Sequence, residues 1–250
     1  MPAARLTGQA SIVHPYDVLA QSDGGDLMLH ALLCNEADVR DDVTSETVLR
    51  TFHMGPPLGP RRMPCDAFGT AELTTGQAAK LKAFLADRQE ERNAEERRLR
   101  RLGRRWRAGS QYRIHPEATP PTPDYPLWRF SCVGFVLRAY QSARVHLLTG
   151  PYPSKTMEDL KRLYPHSAGH LDDPGQRNAL GIGDGDRWPV ILVGYVLHSL
   201  NRAASDINGA NAQRYAPQIG DEYFPRAVVA ERPLGNAGRS KSRGSPTEQG

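Results

Sequence analysis

Apolar positions along this chain follow two different rhythms, and each predicts a different kind of element. After the turn signal Asp23-Gly24-Gly25, the run from Asp26 to Cys34 is almost continuously apolar and predicts a mostly buried strand, with His30 in its middle. The segment Thr47-Val48-Leu49-Arg50-Thr51-Phe52-His53 is rich in β-branched and aromatic residues and predicts a second strand. The two suit an antiparallel pair with a longer loop between them, through the acidic stretch around Asp38 to Asp42. Pro56, Pro57, Pro60 and Pro64 then predict a break in regular structure, because proline fixes φ and supplies no amide donor.

From Thr75 the period changes. Ala78, Leu81 and Leu85 recur at helical spacing among good helix formers, and the pattern continues as a charged helix toward Arg107. In that continuation Glu96 and Arg100 stand in the favourable order for an ion pair four residues apart, and Leu99, Leu102 and Trp106 restore an apolar stripe. Pro116, Pro120, Pro121, Pro123 and Pro126 predict an extended connector. Ser131 to Arg144 carries Phe135, Val136, Ala139, Tyr140 and Ala143 at helical spacing with Ser131 as its cap, which puts Cys132 in the first turn. A short helix is expected over 155–164, then a loop over 165–185 with no buried element. Pro189 suits the first position of a helix reaching about Ala204, although Val190-Ile191-Leu192-Val193 alone suits a strand equally well.

These elements amount to one α+β domain over 1–231. The last stretch, 232–250, has Leu234 as its only large apolar residue and is expected to be a disordered tail, since it cannot offset its ordering entropy. The longest apolar run, Val190 to Leu197, is far below the ~20 residues a membrane-spanning helix needs. Cys34, Cys65 and Cys132 are odd in number and widely spaced, which fits neither a disulfide framework nor a Cys-x-x-Cys metal site. With no exported signal evident in the opening residues, a soluble cytoplasmic protein is expected.

Chemistry points first to Cys132. A thiol at a helix start feels unpaired backbone donors and the positive end of the helix dipole, which favours thiolate. The competing reading is a buried structural cysteine. Other signals are poorer. Asp184-Gly185-Asp186 lacks the alternating oxygen ligands of a calcium loop. Gly181, Gly183 and Gly185 lack the spacing of a dinucleotide fingerprint. His166 and His170 flank Gly169 in a loop context, so no metal and no cofactor is assigned.

The heptad Phe130-Ser131-Cys132-Val133-Gly134-Phe135-Val136 resembles the Asp-Cys-Ser-Gly-Phe-Val signature of the NlpC-type cysteine peptidases and their circularly permuted, lecithin retinol acyltransferase-like relatives. Cys132, Gly134, Phe135 and Val136 agree, whereas Ser131 and Val133 stand where the family has Asp and Ser. In the permuted branch a histidine strand precedes a connecting helix and then the cysteine helix, the order of His30, the helix from Thr75 and Cys132. The resemblance implies a papain-like fold, with the nucleophile helix packed on a small antiparallel sheet. It also implies a hydrolase or acyltransferase acting on an amide, thioester or ester of a small molecule, peptide or acyl compound, with Cys132 as nucleophile, His30 as base and His53 orienting the imidazole.

A reading of another class rests on the arginines. Between Asp87 and Arg107 nine arginines meet five acids, an excess that suits a nucleic-acid or acidic-partner module using 97–107, with Trp106 stacking on a base. The interspersed acids dilute that field, and a solvated charged helix accounts for the same pattern.

Overall fold

The computed structural model describes residues 3–5, 13–36, 48–54, 58–106 and 111–225. The fold is mixed α+β. Six strands form one antiparallel sheet: β1 (Ala4–Arg5), β2 (Val18–Ser22), β3 (Met28–Glu36), β4 (Val48–His53), β5 (Gly59–Pro64) and β6 (Ala67–Gly69), in the order β1-β6-β2-β3-β4-β5. The helices are α1 (Thr75–Arg101), α2 (Cys132–Ser142), α3 (Met157–Leu163), α4 (Ala168–Leu171), α5 (Pro174–Ala179), α6 (Val193–Leu200) and α7 (Ala204–Asn208). A second, two-stranded sheet joins β7 (Ser154–Thr156) to β8 (Arg187–Pro189).

Strand alternation gives the central sheet two apolar faces. Ala20, Ala31, Leu33 and Phe52 share a core with Phe135, Val136 and Ala139 of α2 and with Val193, Val196 and Leu197 of α6. Leu19, Leu32, Cys34, Leu49 and Phe68 belong to a separate cluster on the opposite phase. Helix α2 packs directly on β3 and on α1, and α6 packs on β3 and β6, so β3 is the strand to which the helical layer is anchored.

The β3 and β4 strands lie where the apolar runs predict them, and they pair antiparallel. β2, only five residues long, falls in the polar opening stretch and carries no readable pattern, yet it is buried between β3 and β6. The proline-rich stretch is a correction: Gly59–Pro64 is a strand despite Pro60 and Pro64. It is tolerated because β5 is the edge of the sheet, where an amide facing solvent can be missing. The Pro165–Gly185 stretch is a second correction. It holds a 3-10 turn (Pro165–Ser167), α4 and α5, and it buries Leu171, Leu180 and Ile182, so its Asp and Gly content marks helix ends and not a solvent loop. Neither reading of the 189–204 stretch holds as stated: Pro189 ends β8, residues 190–192 lie in neither helix nor strand, and α6 runs only from Val193 to Leu200. Lys155, expected in a helix, lies in β7 instead, with α3 starting two residues later. Helix α1 ends at Arg101, short of Trp106, with Gly103 in the left-handed region at φ 62°. The tail over 232–250 and its boundary lie outside the described residues.

Near the C-terminal end of the described chain, the 221–222 backbone lies flat on the first turn of α6. A Cβ at Gly194 would run into the backbone of Asp221 and Glu222, where nothing can swing aside. Gly76, in the first turn of α1, has no neighbour within 4 Å of a built Cβ. Gly194→Ala is therefore expected to destabilise the protein by ~1–3 kcal/mol or more through overpacking. Gly76→Ala is expected to be neutral or to stabilise by up to ~1 kcal/mol. Denaturant midpoints of the two variants, compared with the parent, check the pair.

Candidate functional site

Cys132 is the first residue of α2. Ser131 caps the helix, its Oγ accepting from the Gly134 amide at 2.9 Å, and this fixes the first turn where the thiol sits. Gly134 is small of necessity, since a Cβ there would stand 2.9 Å from Ser131 Oγ and 3.4 Å from the Pro116 carbonyl. Ser131 thus performs, as a neutral cap, a service that an aspartate could also supply.

The thiol meets the sheet where β4 has run out. Cys34 exchanges backbone hydrogen bonds with Tyr16 and Asp17 on the β2 side (Tyr16 N to Cys34 O 2.7 Å, Cys34 N to Asp17 O 2.8 Å). By alternation the Ala31 amide points the other way, toward β4, whose last residue His53 stands opposite Leu32. That amide is taken up by the Cys132 sulfur, which also faces the amides of Val133 and of Cys132 itself. The strand is bulged just before this point: Gln21 pairs with His30 and Ser22 with Met28, which leaves Leu29 as the extra residue.

His30 and His53 are brought together directly, with ring centroids 4.8 Å apart and planes crossing at 68°. Both are in phase with Leu32, while α2 lies over Ala31 and Leu33, so the two imidazoles stand on the face of the sheet opposite the Cys132 helix and are not brought against the sulfur. His30 Nδ1 is buried and has no hydrogen-bond partner among the described residues. The structure therefore joins the two histidines to each other, and joins Cys132 to the strand through the amide that follows His30.

Electrostatics at the site are set by burial. Cys132 is 3 % exposed, and burial pushes its thiol above the ordinary cysteine range; the Ala31, Val133 and Cys132 amides pull it down only in part. This reverses the expectation of a favoured thiolate, because a sequence displays the helix start but not the desolvation that outweighs it. His30 is lowered by burial alone. His53 is lowered to about 3, first by burial, then by the charges of His30 and Arg61. At neutral pH the site holds a thiol and two neutral imidazoles.

Sequence reasoning passed over the other groups around the sulfur. The phenols of Tyr112 and Tyr164 are raised by burial and by the neighbouring Cys132. Tyr195, next to Tyr164, is raised by burial and by Glu222 and Asp221. Its buried hydroxyl has no hydrogen-bond partner among the described residues. Beyond it lies a buried ion pair, Lys155 Nζ to Glu222 Oε1 at 2.9 Å. Burial acts to raise Glu222, but the Lys155 ammonium and two backbone amides prevail and hold its carboxyl below the usual range. These residues come from distant segments with no shared motif, so only the fold reveals the cluster.

The remaining histidines stand apart from this arrangement. His198 Nδ1 is 3.6 Å from Asp221 Oδ1, and its Nε2 is 3.2 Å from the Tyr223 carbonyl. His170 is exposed and bonded to Gln176, and His146 is exposed. The side chain of His166 lies outside the described set. On α1, Arg97, Arg98 and Arg100 pair with Glu90, Glu95 and Glu96 at 2.6–2.7 Å, so glutamates of the same helix answer three of the arginines of the 97–107 stretch. No described helix is long and apolar enough to cross a membrane.

A folded pKa below the unfolded value means that the unfolded chain binds the proton first as pH falls. The contribution of His53 to stability is thus fully present above pH 6.5 and is lost progressively down to about 3. At ~1.4 kcal/mol per unit, the loss reaches at most ~5 kcal/mol. His53→Gln is expected to flatten the pH dependence of the denaturant midpoint between pH 7 and pH 4, as read by urea titrations at each pH.

No family model, curated protein or solved structure matches the chain.

Proposed function

We propose that the protein is a thiol hydrolase or acyltransferase that works through a covalent acyl-enzyme on Cys132. The observation that carries this reading is the junction at Ala31. A thiol at a capped helix start is held against the amide that follows His30, while the His30 imidazole keeps a buried, unbonded Nδ1 and is backed by His53. Its counterpart in sequence is the resemblance of the Cys132 heptad, and of the order His30, α1, Cys132, to the permuted NlpC-type proteins.

The chemistry balances without a cofactor. His30, which stands on the face of β3 opposite α2, takes the proton of the Cys132 thiol through a bridging water at the end of β4 as the sulfur forms its bond to the substrate carbonyl carbon. The tetrahedral oxyanion is stabilised by backbone amides at the start of α2. The bond to the leaving nitrogen, oxygen or sulfur then breaks, and the imidazolium returns its proton to that atom. Water or an acceptor nucleophile attacks the thioester by the reverse sequence. His53 holds the His30 ring in one orientation. Because the thiol is raised and the imidazole lowered, proton transfer accompanies attack, and no thiolate–imidazolium pair is stored beforehand.

The test is acylation by an activated ester, followed as a mass increment on the intact protein and mapped to a peptide. The parent is expected to acquire one acyl group at Cys132, and Cys132→Ala none. His30→Ala should slow acylation by ~10²-fold or more. The acid limb of the pH profile should lie below 6.5, since His30 stays neutral to lower pH than a free imidazole. Acylation that is unchanged in His30→Ala, or confined to Cys34 or Cys65, would overturn the reading.

A further inference from the structure

Where α1 meets α2 the surface opens into a cleft of about 320 Å³, with Phe84 and Arg88 on one side, Trp128 and Arg138 on the other, and the buried Phe130 at its deepest point. That volume stands at the lower end of the ~300–1,000 Å³ that small-molecule sites span. The apolar lining is aromatic throughout, and its rings form one array. Trp128 stacks on Phe130 with centroids 6.0 Å apart, and Phe130 and Phe84 both contact Phe135, at 5.8 and 6.0 Å. Phe135 is fully buried in α2, so the array is fixed to the core.

Each outer ring carries a guanidinium. Arg88 lies 5.3 Å from the centroid of Phe84 and Arg138 5.5 Å from that of Trp128, the range in which a ring quadrupole attracts a cation. The two arginines are not equivalent. Arg88 Nη2 stands 2.7 Å from Glu91 Oε1, so its charge is answered from its own helix. Arg138 is exposed, and among the described residues it has the Trp128 ring but no carboxylate and no hydrogen-bond acceptor. The lining of the cleft contains no acid at all. Gln141, exposed three residues further along α2, adds an amide that can donate to the same anion.

We propose that this cleft binds an aromatic carboxylate, a flat body of one or two rings bearing a single negative charge. Aromatic walls attract a further ring through offset and edge contacts, beyond what an aliphatic chain gains from burial alone. One unanswered guanidinium calls for one charge, and a planar carboxylate accepts two parallel N–H bonds from it. Arg138 can turn its fork to the ligand while its plane stays on Trp128, because stacking uses the face of the guanidinium and hydrogen bonding uses its edge. The site stands apart from the acyl chemistry proposed for Cys132, which does not line the cleft.

The test is calorimetric titration of the full chain with naphthoate. Its Kd is expected to be about tenfold or more below that of naphthamide, which keeps the rings and lacks the charge, and below that of acetate, which keeps the charge and lacks the rings. Arg138→Gln should weaken naphthoate about tenfold and leave naphthamide unchanged. The Arg138 side chain is exposed, so this variant keeps the fold. Trp128→Leu should weaken both ring-bearing probes about fivefold. In isotope-labelled protein the indole N–H signal of Trp128, identified by its loss in Trp128→Phe, is expected to shift as naphthoate is added. Equal affinity for naphthoate and naphthamide, or for naphthoate in the parent and in Arg138→Gln, overturns the anion site. An unmoved Trp128 signal overturns its place in the cleft, and naphthyl phosphate bound about tenfold tighter than naphthoate overturns the single-charge ligand. The same results are expected in Cys132→Ala, so a failure of the acyl chemistry would leave the cleft standing, and a silent cleft would leave the acyl chemistry untouched.

Discussion

Everything about the site depends on where the β3–β4 ladder stops. Because β4 ends opposite Leu32, the Ala31 amide has no strand to donate to, and a buried amide left unpaired costs ~1–3 kcal/mol. The first turn of α2 supplies the acceptor, and that acceptor is the Cys132 sulfur. That contact ties the first turn of α2 to β3, the strand on which the helix packs. Phe135 stacking on Phe52 with centroids 5.9 Å apart holds the same helix from the side, two strand positions away. Lengthening β4 by one residue pair would satisfy Ala31 from within the sheet and leave the sulfur without that donor.

Burial then dictates the protonation states. In water a cysteine and a histidine titrate near their ordinary values, but here desolvation penalises the charged form of each. The thiol is pushed up and both imidazoles are pushed down, so all three rest in their neutral forms. The same economy holds on the far side of the cluster, where two buried charges, Lys155 and Glu222, are kept together. The pair ties Glu222 to β7, and Gly194 lets the 221–222 backbone approach α6.

Much of this was legible in the residues because its signals are local. The period of Phe135, Val136 and Ala139 with a serine cap located α2 and put Cys132 in its first turn, and the apolar run through His30 located β3. What could not be read was whatever depends on distant chain segments. β2 is too short to show a pattern, and its place beside β3 comes from pairing alone. The prolines of β5 spoke against a strand, but a sequence does not say which strand is an edge. The bulge at Leu29 and the gathering of Tyr112, Tyr164 and Tyr195 have no linear signature, and the direction of the thiol shift followed from burial that helix position alone does not reveal.

The edge strand β5 has a consequence of its own for how the molecule behaves among copies of itself. An open sheet edge is an invitation to further strands, and a row of free amides is what extends a sheet into a ladder of molecules. Pro60 and Pro64 delete two of those amides, and the exposed side chains of Arg61 and Arg62 place charge between them. A second copy that approached this edge would find interrupted donors and like charges facing its own. The proline-rich stretch is in this sense a guard rail along that side of the sheet, protecting the chain from polymerising through it at high concentration.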